Sequence, residues 1–339
     1  MRSRNLNKEL RKRSKEVVRV LAVLSKKAKE ESGELILLGG SAVQALLKEP
    51  KRLSVDLDLY YSGEPKNLVE ALRRAGYDVV RRKSPSPLFD LYKCMKEGAL
   101  VKVDFVKVKV PPEYVAEHTM GSLRVKIPIP EYLMAAKLAS LAIGATGRMN
   151  RTEEIGILKD LFDFNILADE FDFKPEKVNA AFEEITRQQN ELRGTRFTTK
   201  EAYAAAGKTL REVAVIGKEA RITQGMLNNF GEYLVGGCGA WGKGEWEEFA
   251  WCEQHLSRSL LSTIALRALA YAKRIEEGKG VGHIDKGVDD EVGNAEFVNA
   301  CVDKLEAAGE NVEELHKLKA IAPRALLYLY YSRFPEAQH

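Results

Sequence analysis

The chain has 339 residues, 45% of them hydrophobic and 30% charged, with a formal net charge of +4. That composition supplies a real core and excludes a disordered or collagen-like chain, and the length suggests two domains or one large one. No run of 18 apolar residues occurs, so no membrane span is expected; the basic N-terminus lacks the apolar core of a signal peptide.

Residues 5–30 read as a helix, because Val17, Val18, Leu21 and Leu24 recur at helical spacing with Lys and Arg opposite them. A short apolar strand is expected at 34–38, then the turn Gly39-Gly40-Ser41, then a helix from about Ala42 that stops before Pro50. Residues 54–60 alternate as a strand with one buried face does. A helix at 67–75 and strands at 77–82, 88–94 and 99–109 follow, closed by Pro111-Pro112. From Pro130 helical spacing dominates, with helices expected at 131–143, 153–168, 174–192, 200–221, 245–277, 294–308 and 311–332. Gly-rich breaks fall at 236–244 and 278–282. The expected class is α+β: a mixed-sheet domain over 1–165, then an all-helical domain over 166–339.

The charge is unevenly spread. Residues 1–30 hold 11 Lys/Arg against 3 Asp/Glu, a balance of +8, while 31–170 sum to about zero and 171–339 to −4. Such asymmetry points toward a polyanionic partner or simply a solvated helix face. On the first helix, Arg11, Lys12, Lys15 and Arg19 fall at three- and four-residue spacings and are the candidate RNA-binding residues. The cysteines (Cys94, Cys238, Cys252 and Cys301) form no C-x-x-C, which fits a reducing cytoplasm.

Four motifs carry chemistry. Gly39-Gly40 lets the backbone turn tightly after a strand, and the helix start beyond it presents N–H groups to an anion; Ser41 caps the helix or donates to a phosphate. Asp56 and Asp58 are two apart on a strand and so share a face, with Val55, Leu57 and Leu59 turned to the core. Paired carboxylates repel, and a divalent cation with hard oxygen preference, Mg²⁺ or Mn²⁺, relieves that. Asp104, in the alternating run Val101-Lys102-Val103-Asp104-Phe105, is the candidate third carboxylate of a metal site. Lys137 lies in an apolar helix stretch, where a lysine either snorkels out or faces a polar cavity. Asp160 and Asp163 lie three apart on the next helix.

Taken in order, Gly39-Gly40-Ser41, Arg52-x-Ser54-x-Asp56-x-Asp58, Lys137-Leu138 and Lys159-Asp160-x-x-Asp163 resemble the four motifs of AbiEii-type nucleotidyltransferases, within the polymerase-beta-like superfamily. The resemblance spans about residues 34–167. It implies an NTP substrate held by Gly39, Gly40, Ser41 and Lys137, with Ser54 assisting the phosphates or orienting Asp56. It further implies Mg²⁺ on Asp56 and Asp58, and Asp160 (or Asp163) within the active site. The family includes toxins of toxin–antitoxin systems and relatives that add nucleotides to tRNA, so an RNA acceptor, most simply tRNA, and a cognate antitoxin are expected. Transfer to a protein side chain or small molecule is the alternative; a non-catalytic binding protein on the same fold is another.

Other signals are weaker. Ala202 to Thr209 fits a loose P-loop pattern but has no strand before it. Gly237 to Lys243 is followed by Gly244 rather than a hydroxyl, and Trp241, Trp246 and Trp251 read as core or interface aromatics. The five histidines, 118, 255, 283, 316 and 339, form no metal-binding pair.

Overall fold

A computed structural model describes residues 2–84, 86–147, 154–215, 221–234, 257–280 and 284–337, with the side chains of 2–7 and 337 excepted. The Gly-rich break at 236–244, the three tryptophans, Cys238, Cys252, His255, His283, His339 and the expected helical stretch 245–256 lie outside the described residues.

Helix α1 (Arg2–Glu30) buries Val17, Val20, Leu21, Leu24 and Ala28 along one stripe. Strand β1 (Leu35–Leu38) follows, then α2 (Gly39–Leu46), β2 (Asp56–Tyr61) and α3 (Pro65–Arg74), which Pro65 opens in its first turn. Strands β3 (Asp78–Arg82), β4 (Phe89–Lys96) and β5 (Ala99–Val106) come next. The β4–β5 hairpin turns on Glu97 and Gly98, both at positive φ, as a two-residue loop requires. A second hairpin, β6 (Val115–Met120) and β7 (Leu123–Pro128), had no counterpart in the expected elements. It escapes because β6 is an edge strand whose residues are mostly wet on both faces, so no alternation is written into it.

The seven strands form one mixed sheet in the order β3-β4-β5-β2-β1-β7-β6. β2 runs parallel to β5 and antiparallel to β1, and β1 runs parallel to β7. The face carrying Leu57, Leu59, Val101, Val103 and Phe105 is buried, and α1 and α3 lie behind it. Tyr77 ties the two layers by donating to Glu16 of α1 at 2.5 Å. The opposite face, called the front below, carries Asp56, Asp58 and Asp104. α2 crosses the front at β1 and β2.

Beyond the sheet the chain is helical: α4 (Pro130–Leu141), α5 (Glu154–Glu170), α6 (Pro175–Arg193), α7 (Thr199–Ala214), α8 (Gln224–Gly231), α9 (Arg258–Glu276), α10 (Ile284–Glu291), α11 (Ala295–Ala307), α12 (Val312–Ile321) and α13 (Pro323–Arg333). The expected helix 311–332 is two, because Pro323 cannot continue α12 and instead starts α13. The short helices α8 and α10 span eight residues each, too few for periodicity to show. α7 swallows the P-loop-like stretch whole. One hydrophobic cluster runs from α1 through the sheet to α13. The expected division at 165/166 falls within α5, which packs on α2 on one side and α9 on the other.

Among the described residues no helix is long and apolar enough to cross a membrane.

Candidate active site

Asp56, Asp58 and Asp104 share the front because of two registers. Alternation along β2 turns Asp56 and Asp58 the same way, and the parallel pairing sets Asp104 of β5 beside Asp58 and Lys102 beside Asp56. Burial, reinforced by the charges of Asp58 and Asp56, pushes the Asp104 carboxyl up to about 7. Among the described residues Asp56 Oδ1 is shut off from solvent and accepts no hydrogen bond, and the closest cation is Arg13 of α1, whose Nη2 stands 3.6 Å away. An orphaned carboxylate oxygen and mutual repulsion among hard oxygen donors are what a divalent cation would relieve. The donor set therefore fits Mg²⁺ or Mn²⁺. The side chains are not closed around one point, however: among the described residues no three His, Cys, Asp or Glu side chains converge as a metal-binding group.

The paired glycines are explained by what each lies against. Gly39 has φ of +61°, and a Cβ there would sit 1.8 Å from Asp58 Oδ2. A Cβ on Gly40 would sit 2.0 Å from Arg52 Nη2. The glycines belong to the first turn of α2 rather than to a loop before it, and no side chain caps that helix. Ser41 instead turns inward: its hydroxyl donates to the Asp56 carbonyl and meets Ser54 Oγ, each at 2.8 Å. Both serines thus hold the backbone at the start of β2.

Behind the glycines lies a buried ion cluster. Lys137 of α4, 5% exposed, reaches Asp160 at 2.9 Å and Asp163 at 2.7 Å. Arg52 grips Asp163 with two bonds, Nε at 2.7 Å and Nη2 at 2.6 Å. Gln44 of α2 accepts from the backbone N–H of Lys51 and Arg52 and donates to Asp163 at 3.4 Å. Burial alone would lower the Lys137 ammonium, but Asp160 and Asp163 outweigh it and its pKa is raised; Arg52 is raised by Asp163 against the same opposition. Asp163 is fully buried and saturated by these donors. Lys137 therefore sits in a buried ion cluster rather than snorkelling out.

Several neighbours of the site carried no role in the sequence reading. Lys159, one residue before Asp160, lies 4.1 Å from the centre of the Tyr233 ring and has no carboxylate partner among the described residues. Burial, then the Arg52 charge, lowers its pKa to about 8. Tyr233 follows α8, and its carbonyl accepts from Leu53 N–H at 2.6 Å, so the helical half is stitched to the chain just before the acidic strand. Arg13 sits among the basic residues of α1, with nothing in its spacing to separate it from them. The residues picked there, Arg11, Lys12, Lys15 and Arg19, are all exposed. Lys12 donates to the Glu97 carbonyl at 2.7 Å and Arg19 pairs with Glu16. A cavity of about 640 Å³ among α7, α9, α12 and α13 is lined by none of the site residues.

The class follows from residues 96–230, which match the family model described as "Nucleotidyl transferase AbiEii toxin, Type IV TA system": the enzyme is a nucleotidyltransferase. That matched stretch holds Asp104, Lys137, Asp160 and Asp163 and begins beyond Asp58. No curated protein matches the chain. Two solved structures of the antibiotic-resistance factor ANT(2'')-Ia are similar. The solution structure has 14% identity and a TM-score of 0.37, over 53% of this chain and 96% of that one. The crystal structure with adenylyl-2''-tobramycin has 15% identity and a TM-score of 0.37, over 51% and 98%. An antigenic nucleotidyltransferase-like protein from Paracoccidioides brasiliensis has 17% identity and a TM-score of 0.34, over 53% and 92%. Likeness of that degree says nothing about the acceptor.

Proposed function

We propose that the protein moves an NMP from an NTP to an RNA acceptor, most simply tRNA, and acts as the toxin of a cytoplasmic toxin–antitoxin pair. The observation that carries the transfer reading is the acidic front: three carboxylates on one sheet face, one oxygen without a hydrogen bond among the described residues, and Gly39 packed on one of them. Asp56 and Asp58, with Asp104, would hold Mg²⁺ or Mn²⁺, which when bound neutralises the phosphates and the developing charge.

The acceptor hydroxyl oxygen forms a bond to the α-phosphorus while the bond from that phosphorus to the bridging oxygen breaks. Pyrophosphate leaves, and the hydroxyl proton passes to a front carboxylate or to solvent. In this reading Gly39, Gly40 and Ser41 admit the phosphates against the first turn of α2, and Ser54 fixes the Asp56 backbone. Lys137 holds Asp160 in place and neutralises the triphosphate side. Lys159 is the cation placed to meet a phosphate directly: among the described residues it forms no close ion pair, and it lies against the Tyr233 ring with Asp56 and Asp160 acting on its charge. Asp160 positions the acceptor or takes its proton, because Asp163 has no lone pair to spare. Most of the rate would come from positioning and electrostatics.

Arg11, Lys12, Lys15 and Arg19 support the RNA acceptor by their exposure on one basic helix. The test is incubation with each labelled NTP and total RNA, then a gel. Label in a discrete RNA band supports the reading. Label on a protein band, or in small molecules with RNA untouched, overturns it.

A further inference from the structure

Three strands extend beyond the acidic pair on the side away from α2, and among the described residues no helix packs across their front. Cross-strand register sorts that front into rows. One row runs Asp58, Asp104, Leu91, Arg82; the next runs Asp56, Lys102, Lys93, Val80. The strands lie ~4.8 Å apart, so each row reaches ~14 Å from β2 to the edge strand. The helices that pack most on these strands, α1 and α3, lie behind them. Val80 is 53% exposed and Met95 47%, and Phe89 and Leu91 are partly exposed without joining the core.

Two features of this face point to a ligand. Lys93 and Lys102 stand directly opposite each other, a like-charge pair that weakens a sheet. Neither they nor Arg82 has an ion-pair or hydrogen-bond partner for its side chain among the described residues, whereas Arg81, on the covered face, is paired with Asp90 at 2.8 Å. Cations that form no close ion pair or side-chain hydrogen bond among the described residues, with only the more distant pull of Asp104 on Lys102 and Arg82, beside partly exposed apolar and aromatic groups suit a strand of phosphates with unstacked bases. The placement relative to the carboxylates gives direction: the Gly39-Gly40 turn closes one side of the acidic pair, and the cationic rows leave from the other.

We infer that the open front of β5, β4 and β3 is the track for the acceptor, a single-stranded RNA end laid from Asp104 outward, its phosphates on Lys102, Lys93 and Arg82 and a base against Phe89. The inference rests on the RNA reading above and locates the reacting end on the sheet, with α1 left to grip more distant phosphates. A track this short holds a few nucleotides and reads shape and charge rather than sequence.

The test uses the full chain, with Arg82→Gln/Lys93→Gln as the variant and a labelled single-stranded RNA without NTP as the probe, titrated at several salt concentrations. Two lost phosphate contacts should lower the salt slope of log K by about 1.4. The variant should transfer label to RNA correspondingly worse at subsaturating RNA. NTP affinity should be unchanged and the melting temperature equal or higher, since a repulsive pair is relieved. An unchanged slope with wild-type labelling overturns the inference. So does a loss of NTP affinity, which would assign Arg82 and Lys93 to the triphosphate, or a changed oligomeric state with RNA binding intact, which would make the face a contact between copies. Failure of the wild-type protein to bind or label any RNA overturns the RNA reading itself, and is told apart because no variant is needed to see it.

Discussion

Lys137→Ala should destabilise the protein strongly. At 2.9 and 2.7 Å from two carboxylates, and 5% exposed, the ammonium gains about 6 kcal/mol of gross attraction from each at an effective dielectric of 20. Much of that is offset by desolvation and by Arg52 on the same carboxylate. Removing one member of such a cluster leaves a buried charge uncompensated, and costs about 3–5 kcal/mol. At ~2–4 °C per kcal/mol for a domain of this size, thermal unfolding followed by circular dichroism should shift down by ~6–20 °C. Arg52→Ala, which strips the bidentate partner from the saturated Asp163, should do the same. Lys137→Ala/Asp160→Leu, which removes a cation and an anion together, should recover part of the loss. A shift under ~2 °C for Lys137→Ala would refute the reasoning and leave Lys137 a ligand of the nucleotide alone.

Asp58→Asn should abolish NMP transfer while holding or raising the melting temperature, because it removes a repulsion felt by Asp104; a melting temperature that falls by several degrees would show a structural carboxylate. Gly39→Ala should cut transfer severely, since the new Cβ must displace Asp58 from a position 1.8 Å away and φ is +61°; wild-type turnover would detach the glycine from Asp58. Asp104 carries a raised pKa of about 7, so the folded state binds the extra proton, and metal-free stability should fall as pH rises from ~4 toward 7. Mn²⁺ should therefore raise the melting temperature more at pH 8 than at pH 6, and equal shifts would remove Asp104 from the metal site. At subsaturating metal, kcat/KM should be bell-shaped, with an acid limb near 7 from Asp104 and a basic limb near 8 from Lys159; Lys159→Arg should move only the basic limb upward.

Much of the acidic strand was legible because a period of two states both which residues are buried and which face the others share. Asp56 and Asp58 needed nothing more. That Asp104 joins them depends on β2 and β5 pairing in parallel across some forty intervening residues, which no local pattern encodes. Gly39 and Gly40 were legible as a turn, but their reason, room for Asp58 and Arg52, belongs to tertiary packing. Lys137 stood out as one charge in an apolar run; its partners Asp160 and Asp163 were visible as a helical pair, while Arg52 as the second cation was not, since a lone arginine before a strand reads as surface. β6 was missed because an edge strand wet on both faces writes no alternation into the sequence; β7 does bury Val125 and Ile127, an alternation that was there to be read. The open front of β3, β4 and β5 could not be read at all, because whether a helix covers a sheet face is decided by topology.

The central claim is that the carboxylate front drives RNA-directed nucleotide transfer, and pyrophosphate release measures it most directly. With Mg²⁺ and a mixture of the four NTPs, the wild-type protein should release pyrophosphate only when RNA is added, and Asp58→Asn should release none while keeping its fold. Release that is independent of RNA, or that survives Asp58→Asn, would contradict the account.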